Sequence, residues 1–202
     1  MTMQISDQLI YNNEAYSLDD EILESFLKEK GIQSKHAGGF SANWRGYVAE
    51  FVIKNFEIHL NSKNNEFFEN IIKELGSTKI HYLNKLIVLY SNVIGEYSNW
   101  SISLSEYETY QVLEFKDGNL MDFKILSNSE FKKFKKEQFL KYIETEDYEL
   151  EKQNRIRNIE CENEILRKEK NKDSNWHKYK FKETEFLEQV ETYILNYTKK
   201  FY

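Results

Sequence analysis

The sequence predicts an α+β protein: a mostly antiparallel sheet with helices packed on one side, plus a helical C-terminal region. Three observations carry that reading. Residues 47–60 alternate in polarity on both sides of a short turn, the pattern of a half-buried hairpin. Residues 110–125 repeat the pattern around Asp117-Gly118. After Ser127 the alternation gives way to spacings of three and four residues in a chain rich in Lys and Glu. Residues 1–126 therefore read as the sheet domain. Residues 127–202 read as a helical region packed on it, with 146–172 partly projecting.

The central hairpin turns at Lys54-Asn55-Phe56. Before it, Tyr47, Ala49, Phe51 and Ile53 share one face, with Val48, Glu50, Val52 and Lys54 on the other. After it, Phe56, Ile58 and Leu60 alternate with Glu57 and His59. Upstream, residues 7–18 form a second hairpin with Asn12-Asn13 as its turn, because Asn tolerates positive φ. Asp19 or Asp20 then caps a helix carrying Ile22, Leu23, Phe26 and Leu27, which stops at Gly31. A second helix runs from Asn65 to Leu75, with Gly76 as its stop. Leu86–Tyr90 is a continuous apolar run suited to a buried strand, and Ser98–Leu104 alternates Trp100, Ile102 and Leu104 with polar residues, a further strand.

In the second half, Glu130–Ile143 is helical, with Phe131, Phe134, Phe139, Leu140 and Ile143 near one stripe. Residues 144–172 are helical but carry only scattered aliphatics, and Asp173-Ser174-Asn175 breaks them. Phe186, Leu187, Val190, Tyr193, Ile194, Tyr197 and Phe201 then mark one terminal amphipathic helix.

Composition narrows the class. The 40% hydrophobic content supports a real core, unlike a disordered chain. No run reaches the ~18 apolar residues that span a bilayer, and the N-terminus lacks a signal-peptide pattern. A single cysteine, Cys161, makes no internal disulfide, so a reducing cytoplasm is the expected compartment and no membrane is implied. Charge is uneven. Residues 1–126 hold 11 Lys and Arg against 18 Asp and Glu, whereas residues 127–202 hold 17 against 16. An acidic first half repels nucleic acid and favours a basic protein partner.

Candidate chemistry is sparse. Trp44-Arg45-Gly46-Tyr47 is the foremost candidate, since a guanidinium beside an indole can hold a phosphate or carboxylate while the ring stacks on a ligand. The competing reading makes Arg45 half of a structural ion pair and Trp44 core. His36, His59, His81 and His177 show no metal-ligand spacing, although His59, His81 and Glu57 converge if their strands are neighbours. The neighbours of Cys161 are acidic, which disfavours a thiolate. Lys132, Lys133, Lys135 and Lys136, interleaved with Phe131 and Phe134, offer a nucleic-acid contact, but the surrounding acidity favours a solvated helix face. No metal, cofactor or catalytic constellation is indicated.

The run Leu9–Leu18, with Trp44-Arg45-Gly46-Tyr47-Val48-Ala49, Phe51–Asn55 and Ile58-His59-Leu60, resembles a group of small bacterial proteins. That group combines an N-terminal strand–turn–strand with a Trp-Arg-Gly-Tyr strand and has no established activity. The likeness covers roughly residues 7–145 and implies an architecture and a bacterial or phage origin.

The leading expectation is a non-enzymatic protein-binding module that neutralises or modulates a protein partner, as immunity proteins do. Acidity, abundant tyrosine and the thinly apolar 146–172 segment support it. Ile156, Ile159 and Leu166 are its expected contact stripe, for a partner or for a homodimer through the C-terminal helices. The alternative is a small-ligand or nucleotide-binding protein, conceivably a hydrolase, with a pocket at Trp44 and Arg45.

Overall fold

A computed structural model describes residues 5–34, 43–95, 102, 105–169 and 179–202. Seven strands form one sheet: β1 (Gln8–Tyr11), β2 (Glu14–Ser17), β3 (Glu50–Lys54), β4 (Glu57–Asn61), β5 (Lys85–Ile94), β6 (Glu106–Lys116) and β7 (Asn119–Ser127). Their spatial order is β2-β1-β3-β4-β7-β6-β5. All neighbours are antiparallel except β1 and β3, which run parallel with Leu9 opposite Phe51. Six helices complete the described residues: α1 (Glu24–Lys30), α2 (Glu66–Leu75), α3 (Asn128–Tyr142), α4 (Glu146–Glu169), α5 (Glu183–Thr192) and α6 (Ile194–Tyr197). The chain divides into two compact units, residues 1–131 with 199–201, and residues 132–198 with 202.

In the first unit, pairing brings the predicted faces together. Leu9, Phe51, Ile58, Leu60, Leu113, Phe115 and Leu120 join Ile87 and Leu89 on one side of the sheet. Phe26 and Leu27 of α1 and Phe68, Ile71 and Leu75 of α2 close the same core. The first half of β5 is buried on both faces, with Leu86 and Val88 enclosed as well as Ile87 and Leu89. This double burial is why it reads as an unbroken apolar run. The two-residue turns at Asn12-Asn13, Asn55-Phe56 and Asp117-Gly118 all have positive φ at both positions, the left-handed geometry that matches strand twist.

Several expectations change. Strand β3 starts at Glu50, so Tyr47 and Ala49 lie buried ahead of it, and Phe56, expected beside Ile58 and Leu60, sits in the turn and is 71% exposed. Helix α1 starts at Glu24, later than a cap at Asp19 or Asp20 implies, and its N-cap Leu23 makes no side-chain cap bond. Leu18 is still tied to β1 through Asp7, and Asp20 is drawn to the Lys85 ammonium instead. On α3, Leu140 is 50% exposed and Gln138 is buried. The terminal helix is two pieces, because Tyr193 leaves the helical region (φ -111°, ψ 32°). Its buried stripe is Phe186, Val190 and Ile194, with Tyr193 exposed. Phe201 belongs to the first unit, where its N–H donates to Glu114 and its ring lies under the Lys124 ammonium. The strand expected over Ser98–Leu104 lies outside the described residues except for Ile102, which is buried. The break expected at Asp173–Asn175 also lies outside them.

In the second unit, Tyr142, Tyr148, Phe186, Val190 and Ile194 make a small core. Polar clasps hold the remainder of α4. Asn163, nearly fully buried, donates to the Tyr179 carbonyl (2.9 Å) and accepts from the Tyr179 N–H (2.8 Å), while Lys152 pairs with Glu183.

Gly118 is where three strands, β4, β6 and β7, and the loop before β5 converge. Its N–H donates to the Leu83 carbonyl and its carbonyl accepts from the Ile58 N–H, 3.0 and 2.9 Å away. A Cβ on Gly118 would stand 2.5 Å from the Ile80 carbonyl oxygen, which is backbone and cannot step aside. Gly118→Ala should therefore destabilise the fold by roughly 2–3 kcal/mol, and Gly118→Asn by about as much although Asn accepts the φ. Urea denaturation checks both. A cost below ~1 kcal/mol for Asn would mean that the backbone contact is absent.

Candidate functional site

The stretch foremost in sequence splits in the structure. Residues 43–46 form a turn ahead of β3, with Gly46 at φ 74° and its carbonyl accepting from Ser34 Oγ. Trp44 is 53% exposed, whereas Arg45 and Tyr47 are buried. The Arg45 guanidinium meets the Asp7 carboxylate with both terminal nitrogens, Nη1 to Oδ2 at 3.1 Å and Nη2 to Oδ1 at 3.2 Å. Nη2 also donates to the Ile5 carbonyl, and the group sits 5.0 Å from the Tyr47 ring centre. Asp7 Oδ1 takes the Ala49 N–H as well, at 2.8 Å. The Tyr47 hydroxyl donates to Glu24.

Burial dominates the electrostatics here. Desolvation raises the Asp7 carboxyl above the ordinary aspartate value, although Arg45 and the Ala49 N–H pull it down. Tyr47 is raised by burial and by its bond to Glu24. Arg45 moves the other way: against the desolvation that lowers it, Asp7 raises the guanidinium above its ordinary value, so each partner is held charged by the other. Asp7, some forty positions upstream, is the partner that sequence spacing does not reveal.

Two clefts lie elsewhere in the first unit, and neither is lined by Trp44 or Arg45. One, of about 580 Å³, opens between β2 and β5, lined chiefly by Glu14, Tyr16, Tyr90, Asn92 and Tyr107. Tyr16 donates to Glu14 and accepts from Gln111, and burial raises Tyr90. The other, of about 390 Å³, lies by Phe26, Glu74, His81 and Tyr82. His59 stands 3.5 Å from Glu57 and takes Thr78 Oγ1 on its other nitrogen, while Glu57 is held by Lys79. Among the described residues no group of three or more His, Cys, Asp or Glu side chains is arranged to hold a metal.

An open strand edge is the feature sequence reading did not single out. Strand β4 pairs with β7 only at Glu57 and Asn119, and the last bond between them runs from the Leu120 N–H to the Phe56 carbonyl. Beyond that point β7 keeps β6 on one side alone among the described strands. Met121, Phe123 and Ile125 are 57%, 48% and 61% exposed there. Phe123 and Ile125 share the face of the core residue Leu113, which stands opposite Phe123, yet both are exposed. The Phe123 N–H is met by the Asp122 carboxylate and the Ser127 N–H by Glu130, both side chains of the same stretch rather than of β6. On α4, Ile156, Ile159 and Leu166 are half-buried, so the expected contact stripe is less open than β7.

No family model matches the chain, and no curated protein or solved structure is significantly similar to it. The likeness carried by Trp44-Arg45-Gly46-Tyr47 therefore assigns no family. Among the described residues no helix is long and apolar enough to cross a membrane.

Removing one member of the buried pair isolates the other. Arg45→Met should cost about 3–5 kcal/mol at neutral pH, because the Asp7 carboxylate is left enclosed without its counter-ion. Adding Asp7→Asn, which still accepts from Ala49, should recover most of it. In the single variant the folded-state pKa of Asp7 lies above its unfolded value. The penalty is therefore full at neutral pH and is relieved as falling pH protonates the carboxyl. Urea titrations at several pH values read this. A loss under ~1 kcal/mol, or no recovery in the double variant, would contradict the buried pair.

Proposed function

We propose that this chain is a non-enzymatic protein-binding module of bacterial or phage origin that neutralises or modulates a protein partner. The observation that carries the reading is the open edge of β7, with Met121, Phe123 and Ile125 standing exposed along it. An unpaired strand offers backbone donors and acceptors in a row, and alternate apolar side chains add specificity to whatever strand joins it. The first 126 residues hold 18 acidic against 11 basic side chains, so the fitting partner presents an extended apolar segment flanked by Lys or Arg. This reading moves the expected contact from Ile156, Ile159 and Leu166 on α4 to β7.

The ligand-binding alternative gains nothing from Arg45, whose terminal nitrogens are engaged by Asp7 and Ile5. The reading needs no chemistry from His59 or Cys161. It asks only that the sheet present one strand that another chain can extend.

Immobilised wild-type chain and a Phe123→Lys/Ile125→Lys variant, compared on bacterial lysate by mass spectrometry, test the proposal. The expected result is a stoichiometric protein retained by the wild type and lost from the variant, whose melting temperature is unchanged because both positions are exposed. A partner held equally by both would place binding elsewhere on the chain.

A further inference from the structure

An exposed apolar edge is a liability unless something covers it. The sequence of β7 is self-complementary about Phe123. An antiparallel copy centred on Phe123 in Met121-Asp122-Phe123-Lys124-Ile125 sets Asp122 opposite Lys124 on both sides of the axis. Met121, which a bulge leaves without a β6 partner, and Leu120, bonded to Phe56, bound the segment that can pair. We infer that β7 pairs with β7 of a second copy of this chain across a two-fold axis at Phe123.

The backbone supports this register. The Phe123 and Ser127 N–H groups, four residues apart, both meet side chains of their own segment, so the pleat aims the amides of 123, 125 and 127 at the open edge. A dyad at Phe123 then lets each Phe123 N–H meet the other's carbonyl. The Asp122 carboxylate, which accepts from the Phe123 N–H in the single chain, is released to face the opposing Lys124. Lys124 lies over the Phe201 ring at 4.6 Å, within reach of the same face. Opposite charges set directly across a strand pair favour it, and like charges oppose it. Met121, Phe123 and Ile125 lose water contact together, and the sheet continues from one copy into the next. A closed two-fold pair uses up both edges, so assembly stops at two copies rather than running on into fibres.

The inference rests on reading β7 as the binding edge, with the second copy as its occupant until a target displaces it. A chain that stays monomeric yet captures a partner through Phe123 overturns the inference alone. A dimer that captures nothing overturns the proposed function alone.

Sedimentation of the full chain from micromolar to millimolar concentration is the test. The wild type should show a reversible monomer–dimer equilibrium. Asp122→Lys alone and Lys124→Asp alone should each raise the dimer Kd at least about tenfold, since both sets of cross-strand charges become repulsive. Mixing the two variants in equal amounts should restore dimerisation, because every cross-strand pair is again opposite in sign. A merely structural role for either residue cannot produce that rescue. In a Cys161→Ser background, Phe123→Cys should cross-link to itself under mild oxidation, since residues paired across the axis lie about 5.5 Å apart. Ile125→Cys, which faces residue 121 of the other copy, should not. A wild type monomeric throughout, single reversals without effect, failed rescue, or equal cross-linking at 125 would each overturn the inference.

Discussion

The sheet depends on one awkward junction, the parallel pairing of β1 with β3. Every other pair is antiparallel, and three of them are joined by two-residue turns that set their own register. Strands β1 and β3 have no such turn, and the connection between them also has to carry β2 and α1. What aligns them is Asp7. Its carboxylate holds Arg45 and the Ala49 N–H, its carbonyl takes the Leu18 N–H, and the next amide, Gln8, donates to the Ala49 carbonyl. One residue thereby places β1, the end of β2 and the approach to β3. A slip of one position would turn Leu9 and Phe51, both fully buried, out of the core.

That constraint accounts for an oddity of composition. Arg45 is the only arginine before Arg155, and beside Trp44 it looks like a ligand clamp. A Lys there would offer a point charge in place of a planar fork, and could not span two carboxylate oxygens and the Ile5 carbonyl in the same way. The residue type is specified by the fold's own geometry. The Trp44 indole beside it is 53% exposed.

The hairpins were legible in the sequence because their information is local: alternation on either side of Asn12-Asn13, Asn55-Phe56 and Asp117-Gly118 specifies both partners and the turn. The helix stops at Gly31 and Gly76 were legible for the same reason, and both adopt the left-handed geometry expected of a C-cap. The start of α1 was not, since Asp20 is taken by Lys85, 65 residues later. The single terminal helix was overdrawn because a stripe at helical spacing survives a break, and Phe186, Val190 and Ile194 continue across the kink at Tyr193. Of the candidate site, the residues Trp44, Arg45 and Tyr47 were visible, but their roles were set by Asp7 and Glu24, which are distant in the chain. The β7 edge was hidden in plain alternation. Met121, Phe123 and Ile125 read like any inward face, and they are uncovered because β7 runs on past the Asn55-Phe56 turn, where β4 begins.

The same sheet thus has a locked junction and an open strand edge. At β1 and β3 the buried Asp7 contacts fix the strands, while β7 past Leu120 keeps apolar side chains at the surface. Native-state hydrogen exchange tests the locked junction most directly, at the Gln8 and Ala49 amides. If the Asp7 junction holds the sheet in register, both should exchange only through global unfolding, with the same free energy that denaturant titration gives. Exchange of these two amides at much lower free energy, while Leu113 and Phe115 on β6 stay protected, would show that the parallel junction opens by itself and that the rest of the sheet does not depend on it.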